Sequence, residues 1–127
     1  MKFTIPGRLA GMNDIIASSR THWAAGGKLK KQQTDICALA LLVQRIPAIK
    51  EPIALEIYWF EQNRKRDIDN VSAGIKFILD GMVQRGTIPN DTRRWVGSIT
   101  HFFPEPDPVN PRVEVKIKLL SELMEKP

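Results

Sequence analysis

The chain is poor in cysteine and has no long apolar segment. Cys37 is the one cysteine among 127 residues, which excludes an intrachain disulfide and any zinc site built on several thiolates. Its apolar surroundings predict that it is buried. The longest strongly apolar run, residues 36–43, is far shorter than the roughly 20 residues of a membrane span, and the N-terminus lacks the apolar stretch of a signal peptide. We therefore expect a cytoplasmic protein without a membrane partner.

The remaining composition is typical of one globular domain. Hydrophobic residues make up 43% and charged residues 26% of the chain, without repeats or low-complexity segments. The length suits a single core, so we treat residues 1–127 as one domain. The net charge of +5 favours an anionic partner. Basic residues concentrate beside acidic ones, at 64–66 before two aspartates and at 93–94 after a third, which suits a phosphodiester substrate.

Hydrophobic periodicity predicts four strands and two helices. The predicted strands are 2–6, 53–60, 95–103 and 112–119, and the predicted helices are 28–45 and 68–85. This order predicts an α+β domain with one mixed or antiparallel sheet of about four strands, packed with two helices. The proline-rich residues 104–111 predict that the last two strands form an antiparallel pair. Residues 7–27 have no clear period and are typical of a substrate-facing loop.

Two aspartates, Asp67 and Asp69, stand where a predicted strand leads into a predicted helix. Residues two apart in extended chain project to one side, so both carboxylates can face one point. Magnesium prefers oxygen ligands, usually one or two carboxylates completed by water and phosphate. The alternative is that the second aspartate or the asparagine after it only caps the helix. Asp91, after the second helix, is a candidate third ligand, with Glu61 and Asp80 as alternatives.

Lys76 and Asp80 share one face of the second predicted helix with Asp69, at about 100° per residue. Asp80 is about 16 Å along the axis from Asp69, too far to bind the same ion. Lys76 is about 10 Å away, and its long side chain can extend towards the carboxylates. Lys76 is therefore a candidate phosphate or transition-state contact, and Asp80 orients it or pairs with it. A solvated lysine is the alternative.

These residues resemble the signature of the RusA family of Holliday junction resolvases. That signature is an Asp-x-Asp-Asn motif entering a helix, a lysine on the helix and a further aspartate after it. Here the corresponding residues are Asp67-Ile68-Asp69-Asn70, Lys76 and Asn90-Asp91. Many members have two aspartates where this chain has Asn90-Asp91, and some place the lysine closer to the aspartate pair. The resemblance covers most of the chain, and residues 64–95 are its specific part.

The resemblance implies a homodimer that cuts four-way DNA junctions with magnesium. It implies that Asp67, Asp69 and Asp91 are the metal ligands and catalytic carboxylates, and that Lys76 is the essential lysine. Independently, one active site nicks only one strand, so symmetric resolution of a junction requires two sites related by a two-fold axis. The further side chains expected at DNA are Arg64, Lys65, Arg66, Asn70, Arg93, Arg94, Lys28, Lys30, Lys31, Arg20, His22 and Asn13.

Two other aromatic or titratable residues have ordinary interpretations beside functional ones. His101 lies on the apolar face of its predicted strand, which favours a packed, hydrogen-bonded histidine over a general base. Trp23 could stack on a base or anchor the fold or the dimer.

We therefore expect a magnesium-dependent endodeoxyribonuclease of DNA recombination and repair. Two alternatives stay open. The first is a basic DNA-binding module without catalysis, in which the aspartates serve as caps and ion pairs. The second is a nuclease with the same metal site that prefers forks, flaps or RNA. Cleavage of junction, fork and linear duplex with magnesium or with EDTA separates the three.

Overall fold

The computed structural model describes residues 1–21 and 23–124. His22, which the sequence suggested as a DNA contact, lies outside the described residues, as does the side chain of Trp23. The described residues form an α+β domain around one hydrophobic core, as predicted.

Four strands form one mixed sheet: β1 (Lys2–Pro6), β2 (Ile53–Phe60), β3 (Val96–Phe102) and β4 (Arg112–Leu119). Their spatial order is β1-β4-β2-β3. β4 is antiparallel to β1 and β2, whereas β3 is parallel to β2. The predicted antiparallel pair of β3 and β4 is wrong, because β2 lies between them. The long helical connection from β2 to β3 allows β3 to lie parallel to β2. β4 lies between β1 and β2 and therefore has hydrogen-bonded partners on both edges.

The described residues form five helical segments: α1 (Met12–Thr21), α2 (Trp23–Val43), α3 (Ile68–Ser72), α4 (Ile75–Gln84) and α5 (Leu120–Met124). None of these helices of the described part is long and apolar enough to cross a membrane. The prediction of a loop over residues 7–27 is wrong, since α1 and the start of α2 occupy much of that segment.

Gly26 and Gly27 end the segment predicted as a loop, but both lie inside α2. Gly26 lets α1 pack closely on α2, because a Cβ there would lie 3.0 Å from the Oγ of Ser19. The helix therefore begins before Lys28, and the lysines at 28, 30 and 31 are not in its first turn as the sequence suggested.

The second predicted helix is divided into α3 and α4. At the division, Gly74 passes close to the core, since a Cβ there would lie 3.1 Å from Leu9 Cβ and 3.2 Å from the Trp59 ring. Asp69 belongs to α3, while Lys76 belongs to α4. The helix predicted as continuous from Asp69 to Lys76 is therefore interrupted at Ala73 and Gly74, although both keep right-handed helical backbone angles.

Gly86 ends α4, as predicted, with a φ of +73°. Its N–H donates to the carbonyl of Val83, and the N–H of Thr87 donates to the carbonyl of Met82. This is the Schellman arrangement, in which glycine adopts the left-handed conformation that side chains disfavour. It directs the chain out of α4 into the loop that carries Asp91.

One face of the sheet packs against α2 and α4. The inward side chains of β2 are at most 2% exposed: Ile53, Leu55, Ile57 and Trp59. α2 and α4 approach closely at Gly81, where a Cβ would lie 2.7 Å from Cys37 Cβ. Cys37 is buried, as predicted, and burial raises the pKa of its thiol to about 12. The alternate residues of β4 stay partly exposed, from Arg112 to Lys118.

Candidate functional site

The segment between β2 and α3 opens into a cleft of about 560 Å³. Asp67, Asp69 and Arg64 line it on the side of this segment, and Phe103 and Pro104 line it on the side of the β3–β4 connection. The structure therefore brings the two aspartates of the motif to the same cleft.

Neither aspartate uses all of its carboxylate oxygens to cap a helix. Asp67 occupies the N-cap position of α3, with φ −68° and ψ 157°, yet its carboxylate makes no capping hydrogen bond. The Oδ1 of Asp69 accepts the backbone N–H of the adjacent Asn70 at 2.9 Å. Both aspartates are exposed. Their carboxylates therefore keep oxygen lone pairs that face solvent and can accept a cation.

Glu61, the alternative third ligand, is bound to Arg66. The guanidinium of Arg66 donates from Nε and Nη2 to the two carboxylate oxygens at 2.8 and 2.7 Å. Its Nη1 donates to the carbonyl of Leu9 at 3.0 Å. The side chains of Arg66 and Glu61 are 11% and 13% exposed. The guanidinium that the sequence suggested for phosphate is therefore engaged in holding the cleft wall to the segment after β1.

Asn70 of the motif joins α3 to α1. Its Oδ1 accepts the backbone N–H of Asn13 at 2.9 Å, in the first turn of α1. Gly11 makes this approach possible, because a Cβ there would lie 2.5 Å from the same oxygen. Asn13 and Asn70, both expected at DNA, are thus linked to each other.

Asp91 lines a separate cavity of about 450 Å³ between α2 and α4. Lys30, Lys31, Asp80 and Asn90 line it too. Among the described residues, no three aspartate, glutamate, histidine or cysteine side chains form a group that could hold one metal ion. The structure therefore brings Asp67 and Asp69 together and places Asp91 beside Asp80.

Asp80 lies between two lysines. Its Oδ2 is 3.8 Å from the Nζ of Lys76 and 3.8 Å from the Nζ of Lys30. The contact with Lys76 is the pair expected from their spacing, whereas the contact with Lys30 joins α4 to α2 and had no signal in the sequence. The lysine side chains are 59% and 54% exposed, so both ammonium groups remain open to an anion.

The other residues expected at DNA differ in their partners. Arg64 is paired with Glu105, and Lys31 is paired with Asp35. Arg94 lies 5.8 Å over the ring of Trp95. The exposed ones are Arg20, Lys28, Lys31, Arg64, Lys65, Arg93 and Arg94.

His101 is packed and hydrogen-bonded. The Nε1–H of Trp59 donates to His101 Nδ1 at 2.9 Å. Burial lowers the pKa of His101, which favours the neutral ring that can accept this bond. Nδ1 is therefore engaged inside the protein.

Sequence reasoning missed the pair of Glu61 and Arg66 and the link from Asn70 to Asn13. A carboxylate five residues before an arginine, across a segment rich in charge, was the available signal for the first. The second joins residues far apart in the chain, and only the fold reveals it.

No protein-family model matches this chain, and no curated protein matches it. The resemblance of residues 67–70 to the RusA family therefore stays a prediction from the sequence.

Proposed function

We propose that this protein is a magnesium-dependent endodeoxyribonuclease that resolves four-way DNA junctions as a homodimer. The observation that carries the proposal is the pair of exposed carboxylates, Asp67 and Asp69, lining one cleft. The RusA-like motif adds a reaction and a substrate to that geometry.

The two carboxylates fit a hard divalent cation. Magnesium is commonly held by one or two carboxylates, with water and substrate phosphate filling the remaining positions. Asp67 has no capping bond to give up, so binding there costs no helix stabilisation. A magnesium ion would supply Lewis-acid stabilisation of the reacting phosphate and of the leaving oxygen. Asp91 is the third acidic residue of the proposal, through the resemblance, and it lines a separate cavity.

Basic side chains around the carboxylates would hold the DNA backbone. Arg64 lines the cleft, and Lys65 beside it is exposed. Lys76 and Lys30 provide two further ammonium groups near the cavity of Asp91. In this proposal Lys76 offsets negative charge on the phosphate, as positively charged groups do in phosphoryl transfer. The homodimer follows from the need for two nicks related by symmetry.

The test compares a four-way junction, a fork and a linear duplex of matched sequence, each with magnesium or with EDTA. The proposal expects paired nicks in the junction with magnesium and none with EDTA. Equal cutting of forks and junctions would mean that the substrate is branched DNA in general and not the four-way junction in particular. Binding without cutting under all conditions would contradict the proposed activity and favour a non-catalytic DNA-binding module.

Metal binding is measured apart from cleavage, with Mn²⁺ as the probe in titration calorimetry. Asp69→Asn should weaken Mn²⁺ binding and abolish cleavage while junction binding persists. Asp35→Asn is the matched control, because Asp35 is an aspartate paired with Lys31 on α2. An Asp69→Asn protein that still cuts junctions would refute the site.

A further inference from the structure

Three rings form a row whose two end rings, Trp59 and Phe103, both line the cleft. The ring centroids of Trp59 and His101 are 5.9 Å apart with planes inclined by 16°. Those of His101 and Phe103 are 6.5 Å apart with planes inclined by 18°. Trp59 is 2% exposed and Phe103 is 40% exposed, so the row runs from the core to the surface.

The buried end of the row is held in place. The hydrogen bond from Trp59 to His101 joins β2 to β3, and the parallel pairing of the two strands fixes their register. Phe103 follows β3 directly. A ring supported in this way loses little freedom when a ligand packs against it, which favours binding.

Phe103 and Asp67 line the same cleft, which combines apolar and charged side chains. Its lining divides into charged residues, among them Asp67, Asp69 and Arg64, and apolar ones, which are Phe103, Pro104, Pro106, Trp59, Ile68 and Val71. A volume of about 560 Å³ lies within the usual range of small-ligand sites. A nucleotide has the same division, with a flat base at one end and a phosphate at the other.

We propose that Phe103 is a stacking platform for one unpaired nucleobase of the nucleic acid whose phosphate lies at Asp67 and Asp69. The inference rests on the proposed function and specifies the form of its substrate. Bases stack on exposed aromatic rings with little dependence on sequence. A base inside a duplex already has neighbours on both faces, so the platform requires a base released at a branch point or in a single strand.

The neighbouring residue provides a matched control. Phe102 is 39% exposed, close to the 40% of Phe103, but its ring stacks on Tyr58 with centroids 4.7 Å apart. Phe103 lines the cleft and Phe102 does not appear in its wall. Phe102→Leu and Phe103→Leu therefore remove similar rings of similar exposure from different places.

The experiment places 2-aminopurine at the branch point of a four-way junction and, separately, in a single-stranded oligonucleotide. Binding is followed by 2-aminopurine fluorescence in calcium, with Asp69→Asn as the background so that no strand is cut. The background protein should change the fluorescence as the base stacks. Adding Phe103→Leu should remove that change and weaken affinity about tenfold. Adding Phe102→Leu should alter neither.

The conservative variant Phe103→Tyr keeps a ring and should restore the fluorescence change, which a purely structural role of Phe103 would not require. Equal behaviour of Phe103→Leu and Phe102→Leu, with both proteins folded by circular dichroism, would overturn the platform. Absence of any fluorescence change with the background protein would overturn it as well.

Failure of the platform is distinguishable from failure of the proposed function. If the wild-type protein cuts junctions with magnesium but Phe103→Leu leaves the fluorescence change intact, the platform alone is wrong. If the ring-dependent fluorescence change is present but nothing is cut, the proposed activity is wrong and the cleft remains a base-binding site.

Discussion

Arg66 donates two hydrogen bonds to Glu61, and both side chains line the cleft. The donor-acceptor distances are 2.7 and 2.8 Å, and the third contact of the guanidinium is the carbonyl of Leu9. Two parallel hydrogen bonds between a guanidinium and a carboxylate give strong and specific geometry. The segment that leads into Asp67 and α3 is therefore anchored to the segment that follows β1.

Arg66→Ala should destabilise the fold, because it leaves the carboxylate of Glu61 largely buried without its partner. We expect the free energy of unfolding to fall by about 3 kcal/mol. Urea denaturation measures this change. The control is Arg64→Ala, which removes a side chain that is 71% exposed and paired with Glu105, and should change stability by less than about 1 kcal/mol. Similar losses in the two variants would contradict the anchoring role of Arg66.

Two glycines inside helices should respond oppositely to alanine. A Cβ at Gly81 would lie 2.7 Å from Cys37 Cβ and 3.0 Å from the backbone nitrogen of Ala38, so Gly81→Ala must force α2 and α4 apart. We expect a loss of about 2 kcal/mol or more. A Cβ at Gly27 would meet no described atom within 4 Å. Gly27→Ala should therefore stabilise the protein by about 0.5 to 1 kcal/mol. Thermal or urea unfolding of both variants checks the pair, and a stable Gly81→Ala protein would contradict the close crossing.

Local patterns predicted the strands well because each strand carries its own alternation. Ile53 and Ile57 of β2 are 0% exposed. Their alternating spacing indicates a strand even when the neighbouring strands are unknown. The sequence did not indicate which strands lie next to each other, since Ile57 pairs with both His101 and Val115. Such pairing depends on distant segments, so the order of β3 and β4 could not be derived.

The sequence did not predict α1, for a related reason. None of its residues is buried, so no apolar stripe marks it as a helix. Packing of α1 on α2, which Gly26 permits, is a tertiary effect that overrides the local signal.

The candidate site was predictable where its residues are adjacent. Asp67 and Asp69 reach one cleft because only Ile68 separates them in the chain. Nothing in a run of three basic residues indicates that Arg66 turns inward while Arg64 remains exposed. Asp91 depended on the family resemblance, and its place beside Asp80 follows from how α4 ends.

The environment of His101 predicts a stability that declines in mild acid. Burial lowers the pKa of His101 from its ordinary value of 6.5, so the unfolded chain takes up the proton first as the pH falls. The stabilisation is therefore fully present above that value and is lost as the pH falls through the lower folded-state pKa. The hydrogen bond from Trp59 requires the unprotonated Nδ1, which gives the same sign.

Urea unfolding between pH 7.5 and pH 5.5 measures this decline. His22 is the other histidine of the sequence, so His22→Gln serves as the background. Adding His101→Gln to that background should flatten the remaining dependence on pH. A dependence that survives in the doubly substituted protein would assign the decline to other groups.

The lysines around Asp80 should affect the salt dependence of DNA binding, within the proposed function. Lys30 and Lys76 converge on one carboxylate oxygen while their side chains stay more than half exposed. Each phosphate neutralised by a bound cation adds about 0.9 to the slope of log affinity against log salt concentration. Replacing both lysines by alanine should therefore reduce the slope by about 1.8. The control is Lys118→Ala, because Lys118 lies on β4 and pairs with Glu56 there. Fluorescence anisotropy with a labelled junction measures the slopes in calcium, which prevents cutting. If the double variant and Lys118→Ala give the same slope as the unmodified protein, the two lysines around Asp80 do not contact phosphate.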